Sequence, residues 1–376
     1  MNILTSDWEV TTSNKGSPFD LKNKAVCLAY KQNFLDSHCI FNVQQDYIQT
    51  YISKADLLVF FNAKFDLHWY HRNGFTTDVP VWCCQLAEFF LSRQTIPYPS
   101  LEETAIKYGL GVKYDVVKLE YWDKGIDTDQ IPRPILSKYA IQDVELTYKI
   151  YLRQVEEFKK LPAMYKLFRL ACQDLRFLEE MEWNGLPYDV DLCNKRTQEI
   201  QTKIDEILKT LNQVYPDIPI NFNSGDQLSA FLYGGSIFVE IKQLVGKYKT
   251  GKKTGQDKYT KVITEKILPQ LIKPLPGSEL QKEGYYKTDV NMLQKLKGKA
   301  ATKFVGPLLE LSKLEKLIST YYEGLPKRAE EYGWNPGILH GQFNQCVAVS
   351  GRLSSSKPNQ QNFAEDILDI FPSRYQ

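Results

Sequence analysis

Residues 2–9 read Asn2-Ile-Leu-Thr-Ser6-Asp7-Trp-Glu9, a short, largely apolar run that ends in two acidic side chains. We interpret residues 2–6 as a strand, and two further apolar runs at 24–30 and 56–61 as strands of the same sheet. Helical patterns at 65–73, 100–108 and 135–158 follow these strands. Because strands alternate with helices over the first part of the chain, the sequence predicts an α/β domain with a central sheet.

The next part of the chain has a different pattern, with long helices and basic loops. Asp191 is placed to cap a helix whose apolar positions recur every three or four residues, at Ile200, Ile204, Leu208 and Leu211. A second helical pattern covers residues 308–321, and residues 338–349 read as an extended segment before a polar one. We therefore expect three domains, at 1–160, 161–335 and 336–376.

Composition and charge narrow the class of protein. The chain has 376 residues, of which 43% are hydrophobic and 24% charged, as in a folded protein of two or three domains. It has no apolar run of about 20 residues, as a membrane span requires, and no signal-peptide pattern. Seven cysteines without a Cys-x-x-Cys pair suit free thiols in a reducing cytoplasm.

Nine lysines and two acids lie between residues 242 and 273, although the net charge of the chain is only +2. Such a cluster is typical either of a solvated loop or of a surface that follows a phosphate backbone. We predict DNA contacts at four of these lysines: Lys247, Lys249, Lys252 and Lys253.

Two pairs of side chains are spaced so that each pair shares one face of its element. Asp7 and Glu9 are two apart on a strand, and Tyr139 and Asp143 are four apart on a helix. Each pair alone is typical of an ordinary solvated strand end or helix surface. Asp66 follows an apolar strand and comes four residues after Asn62, which alone would indicate a helix cap.

Taken together and in this order, the three pieces resemble the exonuclease motifs of the DEDD superfamily, in its tyrosine-bearing branch. The resemblance implies a ribonuclease H-like fold and two Mg²⁺ or Mn²⁺ ions that hydrolyse a phosphodiester. It implies that Asp7 bridges both ions, that Glu9 and Asp143 complete one ion site, and that Asp66 holds the second ion. Tyr139 would orient the attacking water, and Asn62 and Phe65 would lie near the DNA 3′ end.

Later segments resemble the thumb and the first part of the palm of family A (polymerase I-type) DNA polymerases. They are Glu182-Trp-Asn-Gly185, Asn221-Phe-Asn223-Ser224, Gly284-Tyr-Tyr-Lys-Thr288-Asp289, Lys316-Leu317, His340-Gly-Gln-Phe343 and Gly351-Arg-Leu-Ser-Ser-Ser-Lys-Pro-Asn-Gln-Gln-Asn362. In that family the thumb grips the minor groove of the product duplex. The resemblance therefore implies DNA contacts at Lys316, Arg352, Asn359 and Gln361.

The resemblance covers nearly the whole chain and favours a phage-like polymerase, with a proofreading 3′-5′ exonuclease, a mainly α-helical thumb and an incomplete palm. Because nothing after Asn362 resembles the polymerase metal site, we expect no DNA synthesis by this chain alone. We also expect a second polypeptide, carrying palm and fingers, to cover the open strand edge of residues 338–349. Two alternatives are a DNA-clamping subunit with an idle nuclease site and a stand-alone nuclease of the DEDD superfamily.

Overall fold

The computed structural model describes residues 1–112, 115–247 and 254–373, without the side chains of Ile241, Lys242 and Lys258. The chain forms two compact units. The first comprises Met1–Val190 and Leu325–Gln376, and the second comprises Asp191–Gly324. Helix 162–184 and the last 52 residues therefore pack within the first unit, whereas the predicted boundaries separate them from it. The three predicted functional domains stay a prediction.

The first stretch of unit one contains six strands and seven α-helices among the described residues. The strands are β1 (Ile3–Val10), β2 (Ala25–Gln32), β3 (Ser37–Ile40), β4 (Leu57–Phe60), β5 (Val81–Cys83) and β6 (Leu186–Pro187). The helices are α1 (Gln45–Lys54), α2 (Ala63–Arg72), α3 (Cys84–Leu91), α4 (Leu101–Lys107), α5 (Val116–Glu120), α6 (Arg133–Lys159) and α7 (Pro162–Asn184).

Five of these strands form one mixed sheet in the order β3-β2-β1-β4-β5. Strand β1 pairs antiparallel with β2 and parallel with β4, so it is central. Its side chains are nearly all buried, and β4, Leu-Leu-Val-Phe, is buried throughout, as expected for strands covered on both faces. The predicted α/β domain with a central sheet is confirmed. The sequence patterns missed β3 and β5 of this sheet, and they also missed the helices α1, α3 and α5.

The helices begin where local capping and apolar spacing favour them. Helix α4 starts at a capping box in which Ser100 Oγ accepts a hydrogen bond from the Glu103 backbone N–H and Glu103 accepts one from the Ser100 N–H. Helix α6 buries Leu136, Ala140, Val144 and other apolar side chains along one side. This buried side lets α6 cross the sheet over β1 and β2.

Unit two contains α8 (Val190–Asn212), α9 (Gly225–Tyr233), β7 (Gly235–Lys247), β8 (Asp257–Leu268), α10 (Val290–Leu293) and α11 (Lys299–Lys316). The predicted helix at 308–321 is the second half of α11 and a π-helical turn at Leu317–Tyr322. Two of the quoted segments cap helices. The Ser224 side chain accepts a hydrogen bond from the Gln227 N–H at the start of α9, and Asp289 caps α10.

The prediction of a basic loop is corrected by the structure, because the described part of the lysine-rich region consists largely of strand. Strands β7 and β8 form a long antiparallel hairpin with Gly235 opposite Leu268 and Lys247 opposite Asp257. Its base is buried at Ile237, Val239 and Leu268, which explains why the pairing is stable there. Asp191 is a second correction, because it lies inside the first turn of α8 rather than at its cap.

The chain then returns to unit one through α12 (Gly324–Glu331), β9 (Ile338–Leu339), β10 (Gln342–Asn344) and β11 (Ser354–Ser356). The prediction of one unpaired extended segment at 338–349 is wrong. Strand β9 pairs with β6, and β10 pairs with β11. Gly185 permits the first pairing, because a Cβ on it would lie 2.9 Å from the Leu339 carbonyl oxygen.

Across the described residues, every helix is too short or too polar to span a lipid bilayer.

Candidate metal centre

Strand β1 presents two carboxylates to one face of the sheet. Asp7 and Glu9 are alternate residues, and their partners on β2 are Ala29 and Cys27, respectively. Both partners are completely buried. Since side chains opposite each other in an antiparallel pair lie on the same face, the two carboxylates stand beside a closely covered, apolar part of the sheet.

Helix α6 covers this same part of the sheet. Tyr139, Ala140 and Val144 pack in one cluster with Cys27 and Ala29. Because these side chains of α6 are buried against the sheet, the contact fixes the rotation of α6 about its axis. Asp143 lies one helical turn after Tyr139, and it is therefore brought to the carboxylates of β1.

The carboxylates of Asp7, Glu9 and Asp143 form a cluster in which one oxygen of each lies within 4.8 Å of the others. Glu9 and Asp143 are only 6% and 4% exposed. Three acidic groups so close and so buried are costly without a cation. Hard oxygen ligands in this number suit Mg²⁺ or Mn²⁺, so the residues present fit the divalent metals typical of exonuclease and polymerase families.

Tyr139 is held at the same place. Burial raises the pKa of its phenol, and the charges of Asp143, Glu9 and Asp7 raise it further. The Trp122 ring meets the Tyr139 ring edge to face, with centroids 5.6 Å apart, and the Trp122 indole N–H is held by Thr128 Oγ1 at 3.1 Å. The tyrosine hydroxyl is therefore protonated at neutral pH and near the carboxylates.

Asp66 lies in the first turn of α2. Its Oδ1 accepts a hydrogen bond from the Trp8 backbone N–H at 3.1 Å, and the residue is 1% exposed. Burial raises the pKa of Asp66, and the nearby charge of Asp7 adds to this. Of the four predicted ligands, three are brought together in the cluster and Asp66 stands next to Asp7.

Asn62 and Phe65, predicted near the DNA 3′ end, line a cavity of about 420 Å³ in unit one. Asn62 is exposed at the start of α2 and Phe65 is half-buried. Four other residues lining this cavity have the left-handed backbone conformation that is uncommon outside glycine. They are Asn14, Lys15, Tyr98 and Lys357. Amide, aromatic and lysine side chains thus line one opening beside α2.

The other predicted DNA contacts are divided between the two units. Arg352, Asn359 and Gln361 are exposed in unit one, where the Asn359 side chain also accepts a hydrogen bond from the Gln361 N–H at 3.1 Å. Lys316 is exposed at the end of α11 and Lys247 at the end of β7, both in unit two. Lys249, Lys252 and Lys253 lie outside the described residues. All eight stay predictions.

One polar pair beside this site was not singled out from the sequence. The Lys64 ammonium forms an ion pair of 2.6 Å with Glu182, whose side chain is only 1% exposed. Lys64 lies between Asn62 and Asp66, and Glu182 begins the segment quoted above as resembling a thumb. Both residues therefore lie in or beside motifs identified from the sequence. Their separation of 118 residues, however, gives no indication that they are in contact.

Comparison with known proteins places two families on the chain. The profile described as "3'-5' exonuclease" matches residues 12–157, and the profile described as "DNA polymerase family A" matches residues 262–367. The first match contains Asp66, Tyr139 and Asp143 and starts after Asp7 and Glu9. The second contains Lys316, Arg352, Asn359 and Gln361.

Curated relatives align with much of the chain. The DNA polymerase of Escherichia phage T5 is 26% identical over 90% of this chain and 38% of the relative. The DNA polymerase I of Synechocystis sp. is 27% identical over 80% of this chain and 26% of the relative. The chain thus spans less than half the length of these relatives.

A solved structure shares the fold. The POL domain of Pol1 from M. smegmatis, in complex with DNA primer-template and dNTP, superposes with a TM-score of 0.64 at 20% sequence identity. The similarity covers 98% of this chain and 55% of that chain. The predicted succession of an α/β domain and a mainly helical region is confirmed by this neighbour.

Proposed function

We propose that this chain removes nucleotides from DNA 3′ ends by two-metal-ion hydrolysis. It belongs to the family A DNA polymerases and carries a 3′-5′ exonuclease domain and part of a polymerase domain. The observation that carries the proposal is the cluster of Asp7, Glu9 and Asp143 beside Tyr139. Two carboxylates on a buried strand and one on a helix packed against it suit a reaction in which the metal ligands must be held in fixed positions.

The chain's own groups have distinct tasks in this proposal. Asp7, Glu9 and Asp143, with Asp66 beside Asp7 as the fourth ligand, would hold two divalent ions, Mg²⁺ or Mn²⁺. Such ions supply a nucleophilic water at neutral pH and stabilise charge on the attacking and leaving oxygens. The Tyr139 hydroxyl would orient the attacking water, while Asn62 and Phe65 would contact the terminal nucleotides.

Proofreading follows from the substrate that such a site accepts. A mismatched 3′ end frays more easily than a paired one, and the frayed single strand then reaches the carboxylates. The exposed residues Lys247, Lys316, Arg352, Asn359 and Gln361 would hold the duplex, together with Lys249, Lys252 and Lys253. A cytoplasmic location agrees with this function and stays a prediction.

The test is hydrolysis of a single-stranded oligonucleotide labelled at its 5′ end. We expect a ladder that shortens from the 3′ end with Mg²⁺ or Mn²⁺, release of 5′-mononucleotides, and no reaction with EDTA. Intact substrate under these conditions would contradict the proposal and favour the DNA-clamping alternative. Faster hydrolysis of RNA than of DNA would favour a stand-alone DEDD nuclease.

A second polypeptide belongs to this proposal because α7 exposes an apolar stripe. Leu167, Leu170, Phe177 and Met181 are between 41% and 65% exposed and lie three, seven and four residues apart, which places them on one side of the helix. They line one groove with Leu353 of the returning segment. An exposed stripe of this kind indicates an interaction surface, and its occupant here would be the palm and fingers of a family A polymerase.

The assay for this partner is primer extension by the Asp7→Ala chain, in which the exonuclease cannot degrade the product. We expect extension only after addition of a polypeptide carrying the palm and fingers. Leu170→Glu and Phe177→Glu should block that gain, whereas Leu119→Glu, on the exposed surface of α5, should not. Extension by the chain alone would disprove the need for a partner.

A further inference from the structure

We propose that Lys64 and Glu182 form a positioning pair that holds the start of α2, and with it Asn62 and Phe65, against the returning segment at β10. This inference rests on the proposed exonuclease function and adds residues that act through others. The pair lies entirely within unit one.

The pair is built into the interior by several contacts. Lys64 Nζ lies 2.6 Å from Glu182 Oε1 and also donates a hydrogen bond to the Phe343 carbonyl oxygen. Glu182 Oε1 accepts a second hydrogen bond from the Phe343 backbone N–H at 2.6 Å. Both backbone polar groups of Phe343 are therefore bound by one ion pair, which ties β10 to α2 and α7.

Neighbouring contacts hold the same junction. The Glu182 carbonyl oxygen lies 2.8 Å from His340 Nδ1, and the Glu179 carbonyl oxygen lies 3.1 Å from His68 Nε2. The His340 ring stacks on Phe19 with centroids 4.2 Å apart. Because the Glu182 side chain is only 1% exposed, loss of the Lys64 charge leaves its carboxylate poorly solvated and unpaired, which is costly.

Lys64 is placed where a small movement affects substrate contacts. It lies in the first turn of α2, with Asn62 before it and Phe65 after it. Asp66, in contrast, has its own support from the Trp8 N–H at 3.1 Å. Loss of the pair should therefore displace the residues that contact nucleotides more than the carboxylates that perform the hydrolysis.

This difference allows a test with two substrates. The first is a single-stranded oligonucleotide, which uses Asn62 and Phe65. The second is the p-nitrophenyl ester of thymidine 5′-monophosphate, a single nucleotide that the site splits with water into thymidine 5′-monophosphate and p-nitrophenol. A displaced α2 impairs the first reaction selectively, whereas general unfolding impairs both.

We expect Lys64→Met to raise KM for the oligonucleotide about tenfold, with a smaller change in kcat, because misplaced contacts weaken binding. Hydrolysis of the nucleotide ester should change less than about threefold. The double variant Lys64→Met/Glu182→Gln leaves no unpaired charge in the interior. It should regain thermal stability over Lys64→Met and keep the raised KM.

Lys107→Met is the matched control, because Lys107 forms an ion pair with Glu88, whose side chain is 3% exposed, on α4 and α3. It should lower stability without altering the ratio of the two substrates. An unchanged ratio in both Lys64 variants would overturn the positioning role while leaving the exonuclease proposal intact. An inactive wild-type protein on both substrates would instead contradict the proposed function itself.

Discussion

The carboxylate cluster of unit one and the basic hairpin of unit two differ in how far their charged groups are buried. Asp7, Glu9 and Asp143 stand on a central strand and on the helix that covers it, where Glu9 and Asp143 are almost fully buried. Lys247, by comparison, lies exposed at the far end of a two-stranded hairpin. Its interactions with a ligand are therefore screened by salt and shared with water.

This difference predicts that the two sites respond differently to the loss of one charged group. A buried cluster fixes each oxygen to within a narrow range, so one missing group removes the whole function. Exposed lysines act by their summed charge, so each loss is partial and depends on ionic strength. Experiments that change one charge at a time separate these two regimes.

The largest effect is expected from Asp7→Ala and from Asp143→Ala. Each should lower the rate of 3′-5′ hydrolysis about a thousandfold or more, because a lost metal ligand removes several kcal/mol of transition-state stabilisation. Release of 5′-mononucleotides under saturating Mg²⁺ measures the rate. Asp36→Ala, in the exposed turn between β2 and β3, is the control and should retain wild-type activity. Wild-type rates in both cluster variants would remove the assignment of these carboxylates.

The second effect concerns the basic hairpin. Replacing Lys247, Lys249, Lys252 and Lys253 by Gln should flatten the salt dependence of duplex binding, with a loss of about 0.9 in the log–log slope for each phosphate contact. Fluorescence anisotropy over a range of NaCl concentrations measures the slope. Four exposed lysines of unit one, Lys54, Lys124, Lys159 and Lys160, serve as the matched control. Equal slopes for the two quadruple variants would mean that these four lysines make no phosphate contacts.

A smaller loss is expected from Tyr139→Phe. The variant lacks one hydroxyl but no carboxylate, and one hydrogen bond of about 1.5–3 kcal/mol corresponds to a rate about ten- to a hundredfold lower. Single-turnover hydrolysis measures the chemical step directly. Tyr148→Phe, on the same helix and also buried, is the control. A Tyr139→Phe rate equal to that of the control would show that the hydroxyl takes no part in hydrolysis.

The smallest effect is expected from Asp20, a buried carboxylate of unit one that lies outside the carboxylate cluster. Burial by itself would raise the pKa of Asp20, but hydrogen bonds from the Ser13 hydroxyl, the Lys22 backbone N–H and the Asn14 amide lower it overall. A depressed pKa in the folded state gives stability that is present above the unfolded pKa and is lost as the pH falls through the folded one.

We therefore expect the free energy of unfolding to decrease as the pH falls below the ordinary carboxyl pKa of 3.8. Asp20→Asn should reduce the stability at neutral pH by about 1–2 kcal/mol and should weaken the pH dependence in that acidic range. Urea unfolding at several pH values measures both. If wild type and variant lose stability in parallel below that pH, Asp20 is not the group that titrates.

Much of the candidate site was predictable from local patterns. Alternation on a strand puts Asp7 and Glu9 on one face, and the spacing of four on a helix does the same for Tyr139 and Asp143. These are properties of a single element, so the order of residues is sufficient to derive them. The resemblance to exonuclease motifs then indicated that the two elements meet, and in the structure one oxygen of each of Asp7, Glu9 and Asp143 lies within 4.8 Å of the others.

The sequence by itself determined the types of candidate ligand, their spacing within each element and the alternation of strands and helices. Only the tertiary structure decided that α6 covers Cys27 and Ala29, that β10 pairs with β11, and that Lys64 reaches Glu182. Such contacts join residues far apart in the chain, and they depend on which surfaces bury apolar area and satisfy backbone polar groups together. The basic hairpin is a similar case, because its lysines read as a loop until the buried side chains at Ile237, Val239 and Leu268 reveal the strand pairing.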